Sequence, residues 1–191
     1  MQQDSELSPA VLTRLRGVTG QINWLATQTR PDLSFDVCDL SCSIRDPKVA
    51  DLQRAAKVVR KAQSARVSLK YPHLDLSESS VVVYSDASYG NLPDGSSQGG
   101  YVVFLRDKRG RCAPLAWSSA KIKRIVRSTL AAECMALQDG ADAAVLLAAL
   151  ISEALYDGLG DMSVMCYLYR QQRAVQDTVL DQGGAGQETS D

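Results

Sequence analysis

The spacing of apolar residues changes character about two-fifths of the way along the chain, and the change divides it into two parts. In the first part the spacing is three and four. Val11, Leu15, Val18, Ile22 and Leu25 form one stripe, preceded by Ser8-Pro9, a serine suited to an N-cap and a proline suited to the first helical position. Arg30-Pro31-Asp32 interrupts it. Leu33, Val37, Leu40 and Ile44 then predict a second short helix stopping near Asp46-Pro47, and Val49, Leu52, Ala55, Val59 and Ala62 a third. Gly17 and Gly20 weaken the first helix by roughly 1 kcal/mol each relative to Ala, and are expected to permit close packing.

In the second part strands come first. Val81-Val82-Val83-Tyr84-Ser85-Asp86 reads as a buried strand that delivers Asp86 to a surface edge. The turn-forming stretch Asn91 to Ser97, in which Asp94 is expected to serve the turn, leads to a second strand, Gly99 to Leu105. Lys108-Arg109-Gly110 turns into a third, Cys112 to Ser118, completing an antiparallel meander. A long helix follows, with Leu130, Cys134, Leu137, Ala141, Ala144, Ala148, Ile151 and Leu155 as its expected buried stripe. Glu133 would stand at the border of that stripe, where a helix packed on the sheet would bring it towards Asp86.

Composition narrows the picture. With 191 residues, 45% of them hydrophobic, one domain or a domain with a helical appendage is expected. No apolar run reaches the length of a membrane span, and Met1 to Glu6 lacks the basic and apolar regions of a signal peptide, so an intracellular protein, cytoplasmic or nuclear, with no membrane partner is expected. Five cysteines without a Cys-x-x-Cys pair argue against a disulfide framework or structural zinc, and buried, reduced thiols are expected. Cys38 and Cys42, one helical turn apart, offer two metal ligands where zinc needs four. The lone histidine, His73, falls in a connector, Tyr71 to Ser80, and reads as ordinary surface.

A net charge of -1 gives no whole-molecule attraction to nucleic acid, so any binding must be local. Two places qualify. Arg54, Lys57, Arg60, Lys61 and Arg66 crowd the third helix, as a solvated face or as contacts to duplex phosphates. Arg106 to Arg127 holds eight basic residues against the single acid Asp107, and Lys121, Lys123, Arg124 and Arg127 stand just ahead of the Glu133 helix. They would hold phosphates, or simply solubilise loops.

In order, Ser85-Asp86-Ala87, Gly100-Tyr101-Val102-Val103-Phe104-Leu105, Ala116-Trp117-Ser118-Ser119-Ala120-Lys121 and Ser128-Thr129-Leu130-Ala131-Ala132-Glu133-Cys134-Met135-Ala136-Leu137 resemble the ribonuclease H domain of copia-type retrotransposon Pol polyproteins. Gly20-Gln21-Ile22-Asn23-Trp24-Leu25-Ala26 and Thr29-Arg30-Pro31-Asp32-Leu33-Ser34-Phe35 resemble the segment that joins the reverse transcriptase to it. The resemblance implies an α/β fold with a ribonuclease H-like mixed sheet and flanking helices, truncated, preceded by a small helical region. It divides the chain into 1–70, the helical tail of the reverse transcriptase; 71–80, a linker; 81–170, the ribonuclease H-like domain; and 171–191, a disordered or frame-shifted tail.

The implied chemistry is two-metal hydrolysis of RNA in RNA–DNA hybrids, with Mg²⁺ or Mn²⁺ as cofactor and the remainder of the polyprotein as partner. Asp86 would bridge both ions and Glu133 would ligate one, both as catalytic and metal residues. The polymerase motif Tyr-x-Asp-Asp is absent from the sequence. The family's third carboxylate, in a Thr-Asp-Asn after the fourth strand, is also missing: Met162 to Tyr167 reads as that strand, yet runs into Leu168-Tyr169-Arg170-Gln171-Gln172. Tyr-Arg-Gln-Gln can be written TAC-CGA-CAA-CAA, which one base later encodes Thr-Asp-Asn, so a frameshift or mis-called exon junction near Cys166 to Tyr169 is expected. Impaired cleavage follows, with a non-catalytic nucleic-acid-binding remnant, or a relic without function, as the alternative readings.

Overall fold

The computed structural model describes residues 7–64, 67–92 and 94–156, and the backbone of 164–168. Three helices come first: α1 (Pro9–Gln28), α2 (Ser34–Ser43), entered through a single 3₁₀ turn at Pro31–Leu33, and α3 (Val49–Ser64). Strands β1 (Ser79–Ser88), β2 (Gln98–Asp107) and β3 (Cys112–Lys121) follow, then α4 (Thr129–Tyr156) and β4 (Val164–Leu168). The sheet order is β3-β2-β1-β4, antiparallel within the meander and parallel between β1 and β4. The expected tail, 171–191, and Tyr169, the last residue of the stretch in which a frameshift is expected, lie outside the described residues.

The helical region has its own core, built from Leu15, Ile22, Ala26, Leu33, Val37, Leu40, Ala55 and Val58. Three of its basic residues, Arg30, Arg54 and Lys61, fasten the region together. Arg30, almost wholly buried, pairs with Asp32 at 2.8 Å and donates through Nη1 to the Ala62 carbonyl at 2.8 Å. Arg54 bridges Asp39 and Asp51, and Lys61 joins Asp36 at 2.7 Å and the Asp32 carbonyl at 2.8 Å. Gly17 and Gly20 are not close-packing positions: both are exposed, and a Cβ on either would meet nothing within 4 Å.

The sheet is clamped from both sides. Val81, Val83, Val103 and Leu105 turn one face towards Ala144 and Ala148 of α4, and together form the second core. On the other face Trp117 of β3 donates its indole N–H to the Ala26 carbonyl at 2.7 Å, while α2 packs on the same strand. That bond satisfies one of the carbonyls that the end of α1 leaves open.

α4 lies on the sheet by a stripe that keeps Ala144 and Ala148 of the expected one, with Ile151 packed beside them, but departs from it elsewhere. The buried positions are Ala132, Ala136, Gly140, Ala144, Ala148 and Ser152, every fourth residue. Leu130, Cys134 and Leu155 are exposed instead. Small residues win because the valine-rich sheet surface is approached closely: a Cβ on Gly140 would stand 2.9 Å from Val83 Cγ2. The outward face keeps Val145, Leu146 and Leu150 exposed. By length and composition alone Thr129–Leu155 is long and apolar enough to cross a membrane, contrary to the sequence expectation for this chain, although its small-residue stripe is packed on protein.

One further expectation is corrected. The described cysteines are not core residues: Cys42 and Cys134 are exposed, Cys38 and Cys112 half-buried. Part of the 71–80 stretch is structured: Leu74 packs on the second core, a 3₁₀ turn spans Leu76–Glu78, and Lys108 reaches back to Glu78 at 2.7 Å. His73 is exposed, as expected.

Candidate functional site

Three consecutive valines of β1, each fully buried, hold the strand in the middle of the sheet and carry Asp86 out at its far end. Cross-strand partners share a face, so Asp86 lies with Gly100 of β2 and Ser119 of β3, on the side opposite to α4. The carboxylate is exposed and its Oδ1 accepts the Ala87 N–H at 2.9 Å. The glycine opposite it keeps the floor low, since a Cβ on Gly100 would come within 3.2 Å of the Ser118 carbonyl. A groove of about 340 Å³ results, lined by Asp86, Tyr84, Asn91, Gln98 and Ser119, and on its helical side by Phe35 of α2.

The polar floor is ordered. Gln98, buried, donates through Nε2 to Ser119 Oγ at 2.8 Å and accepts from Asn91 Nδ2 at 3.4 Å. Gly90 has a φ of 62° and donates its N–H to Ser97 Oγ at 3.0 Å, closing the turn that brings Asn91 to the groove.

Glu133 stands in the first turns of α4, half-buried beside the fully covered Ala132. A Cβ on Gly99 would lie 3.1 Å from Ala136 Cβ, and Gly99 pairs with Ala87, so these turns cover the same end of β1 that bears Asp86. The two carboxylates therefore share an end of the sheet but start from opposite faces. β4 as described ends at Leu168, beside Ser85, one residue short of Asp86. Among the described residues no group of three or more His, Cys, Asp or Glu side chains is gathered as a metal site. Ser85 Oγ, buried next to this end, has no hydrogen-bond partner among them.

The expected phosphate contacts divide into two kinds. Lys121 is engaged by Asp94, and that ion pair, with the Ser96 hydroxyl and N–H, holds the Asp94 carboxyl far below the usual carboxylate range. Asp94 serves the turn through those same Ser96 contacts, as its position predicts. Lys123, Arg124 and Arg127 lie exposed in the loop between β3 and α4, and among the described residues none of them is in an ion pair. Earlier in the basic stretch, Lys108 pairs with Glu78, and Arg111 pairs with the buried Asp107 at 2.7 Å. Burial opposes the charge of Asp107, but Arg111 and the N–H groups of Arg111 and Asp75 outweigh it and hold its carboxyl below its ordinary value.

A second cavity, of about 640 Å³, shares Ser118 and Ser119 with the first and is lined by residues of α1, α2 and β3 together with Arg45, Asp94 and Lys123. Phe35, Asn91 and Ser119 fall within motifs or a turn legible in the sequence but with no site role there, and Arg45 and Gln98 stand out by neither period nor motif. The nearest signal is Gln98, a polar residue opening an apolar strand.

No protein-family model matches the chain. Over 117 residues, 60% of the chain and 36% of the relative, it is 36% identical to a protein assigned to transposon Ty5-1 of Saccharomyces cerevisiae. Over 125 residues it is 34% identical to the retrovirus-related Pol polyproteins from transposons RE1 and RE2 of Arabidopsis thaliana, covering 63% of the chain and 8% of each polyprotein. The chain is thus similar to transposon proteins of the retrovirus-related Pol type, and spans about a third of the first relative's length and under a tenth of the other two.

Proposed function

We propose that the chain is a piece of a retrotransposon Pol polyprotein, that its sheet and α4 correspond to the ribonuclease H part, and that by itself it holds an RNA–DNA hybrid with little or no cleavage. One observation carries this reading: an exposed carboxylate, Asp86, at the end of a central strand with an antiparallel neighbour on one side and a parallel one on the other, and Glu133 in the helix covering that same end. The likeness to retrovirus-related Pol polyproteins supports the origin, with the rest of such a polyprotein as partner.

The same residues argue against efficient cleavage. A pair of Mg²⁺ ions about 4 Å apart is caged by several carboxylates. The described residues offer Asp86 and Glu133, on opposite faces of the sheet, and Tyr169-Arg170-Gln171-Gln172, which follow β4 in sequence, add none. This donor set does not fit a two-metal centre, and no hydrolytic step follows from it. What the chain's own side chains supply is binding: Lys123, Arg124 and Arg127 offer exposed charge to phosphates from the loop between β3 and α4.

The test is a labelled RNA–DNA hybrid offered to the purified chain and to its Asp86→Asn variant in Mg²⁺ and then Mn²⁺, with affinity measured across a salt series. The expected result is binding that weakens steeply with salt and no cleavage above that of the variant. Cleavage that vanishes in Asp86→Asn would reveal a working nuclease and overturn the impaired reading. A flat salt dependence, or no binding, would overturn the hybrid as ligand.

A further inference from the structure

We infer that the helical region forms one wall of the nucleic-acid groove, with Phe35 as a stacking platform for a base of the strand that passes Asp86, and Arg45 and Lys123 as phosphate contacts further along. The inference rests on the hybrid-binding reading and extends it to a part of the chain to which that reading gives no role.

Phe35 is the first observation. It is 57% exposed, although Val37 and Leu40 of the same helix are each 2% exposed. An aromatic ring left out of its own core, at the rim of a groove floored by Asn91, Gln98 and Ser119, has a π-face open to a flat partner. Base stacking on such a face tolerates any sequence, because every base has one.

The wall is fixed in place. Trp117 ties the end of α1 to β3, Arg30 ties the α1–α2 connection to Asp32 and to the Ala62 carbonyl, and α2 packs on β3 directly. A ring carried on such a wall loses little freedom when a base stacks on it.

The lining extends past the ring. The two cavities share Ser118 and Ser119, and the second is lined further by the Lys121–Asp94 ion pair and by Arg45 and Lys123, both exposed and, among the described residues, in no ion pair. Asn23, Ser34 and Ser41 also line the second cavity with neutral donors suited to sugar and phosphate oxygens. An aromatic ring, a polar floor and exposed cations on adjoining cavities suit a nucleic-acid strand.

The experiment measures affinity for the labelled RNA–DNA hybrid by fluorescence anisotropy over a salt series, using the full chain and the variants Phe35→Ala, Phe35→Trp, Arg45→Gln and Lys123→Gln, each checked for an unchanged thermal unfolding midpoint. Phe35→Ala is expected to weaken binding about tenfold with the salt slope unchanged, and Phe35→Trp to restore it. Arg45→Gln and Lys123→Gln should each reduce the slope of log affinity against log salt by about one. Wild-type affinity in Phe35→Ala, with the unsubstituted chain binding normally, overturns this inference and leaves the hybrid reading standing. An unsubstituted chain that binds no hybrid overturns both.

Discussion

Gly140 of α4 and Val83 of β1 are in such close contact that a methyl group on the glycine would stand 2.9 Å from Val83 Cγ2 and 3.0 Å from Tyr101 Cβ. Neither neighbour is the loose end of a flexible chain. Alanine is the better helix former by about 1 kcal/mol, yet overpacking a well-filled core costs about 1–3 kcal/mol. Gly140→Ala is therefore expected to lower stability by about 1 kcal/mol or more, seen as a lower denaturant midpoint.

Gly17 and Gly20 of α1 give the opposite sign. Each faces open space, so alanine adds helix propensity without a clash. Gly17→Ala and Gly20→Ala should each raise stability by about 0.5–1 kcal/mol in the same denaturation assay.

Trp117→Phe removes the donor that closes the Ala26 carbonyl while keeping an aromatic ring on the sheet. A lost, partly buried hydrogen bond costs about 1–3 kcal/mol. Because this bond joins the helical region to β3, amide exchange in the last turn of α1 and in β3 should rise together. Exchange unchanged in both would remove Trp117 as the fastener.

Burial opposes the ionisation of Asp32, Asp51 and Asp107, but Arg30, Arg54 and Arg111 respectively outweigh it, and all three carboxyls lie below their ordinary value in the folded chain. A carboxyl whose folded pKa is depressed contributes stability that is complete above its unfolded pKa of about 3.9 and is lost as pH falls through the lower, folded value. Stability should hold from neutral pH to about 5 and then decline steadily on acidification. Asp107→Asn should make the unfolding free energy less sensitive to pH below about 4 than in the unsubstituted chain.

The described thiols should react in two groups. Cys42 and Cys134 are exposed. Burial, and then the neighbouring Cys42, push the Cys38 thiol up to about 11, and burial raises Cys112. At about pH 8 an aromatic disulfide reagent should label Cys42 and Cys134 first, since the thiolate is the nucleophile. Mapping the modified peptides after short exposure checks the order.

The strands of the meander were legible because one run of β-branched residues, Val81-Val82-Val83, can hardly be anything but a buried central strand, and the turns around it contain Gly90, Gly95 and Gly110, each with a positive φ. The position of Asp86 followed from the same run. The phase of α4 was legible only in its second half, at Ala144 and Ala148. A periodicity argument weights large apolar residues such as Leu130 and Leu155, whereas packing on a valine surface selects the small ones, Ala132, Ala136 and Gly140. Nor could the basic stretch be resolved into free and engaged charges. Lys108 finds Glu78 at a separation of 30 residues and Lys121 finds Asp94 at 27, contacts that only the folded turns create. The groove itself, lined by both Asp86 and Phe35 of α2, arises from tertiary packing that no local pattern records.

The order of elements along the chain bears on how α4 is made. Its length and apolar composition would suit a bilayer, and its outward face keeps Val145, Leu146 and Leu150 uncovered even when folded. β1, β2 and β3 all precede it, so the surface that receives its small-residue stripe leaves the ribosome first. A nascent α4 thus emerges beside a waiting protein partner, and a permuted chain that released α4 ahead of the sheet would present the same apolar helix to membranes and chaperones with nothing to dock on.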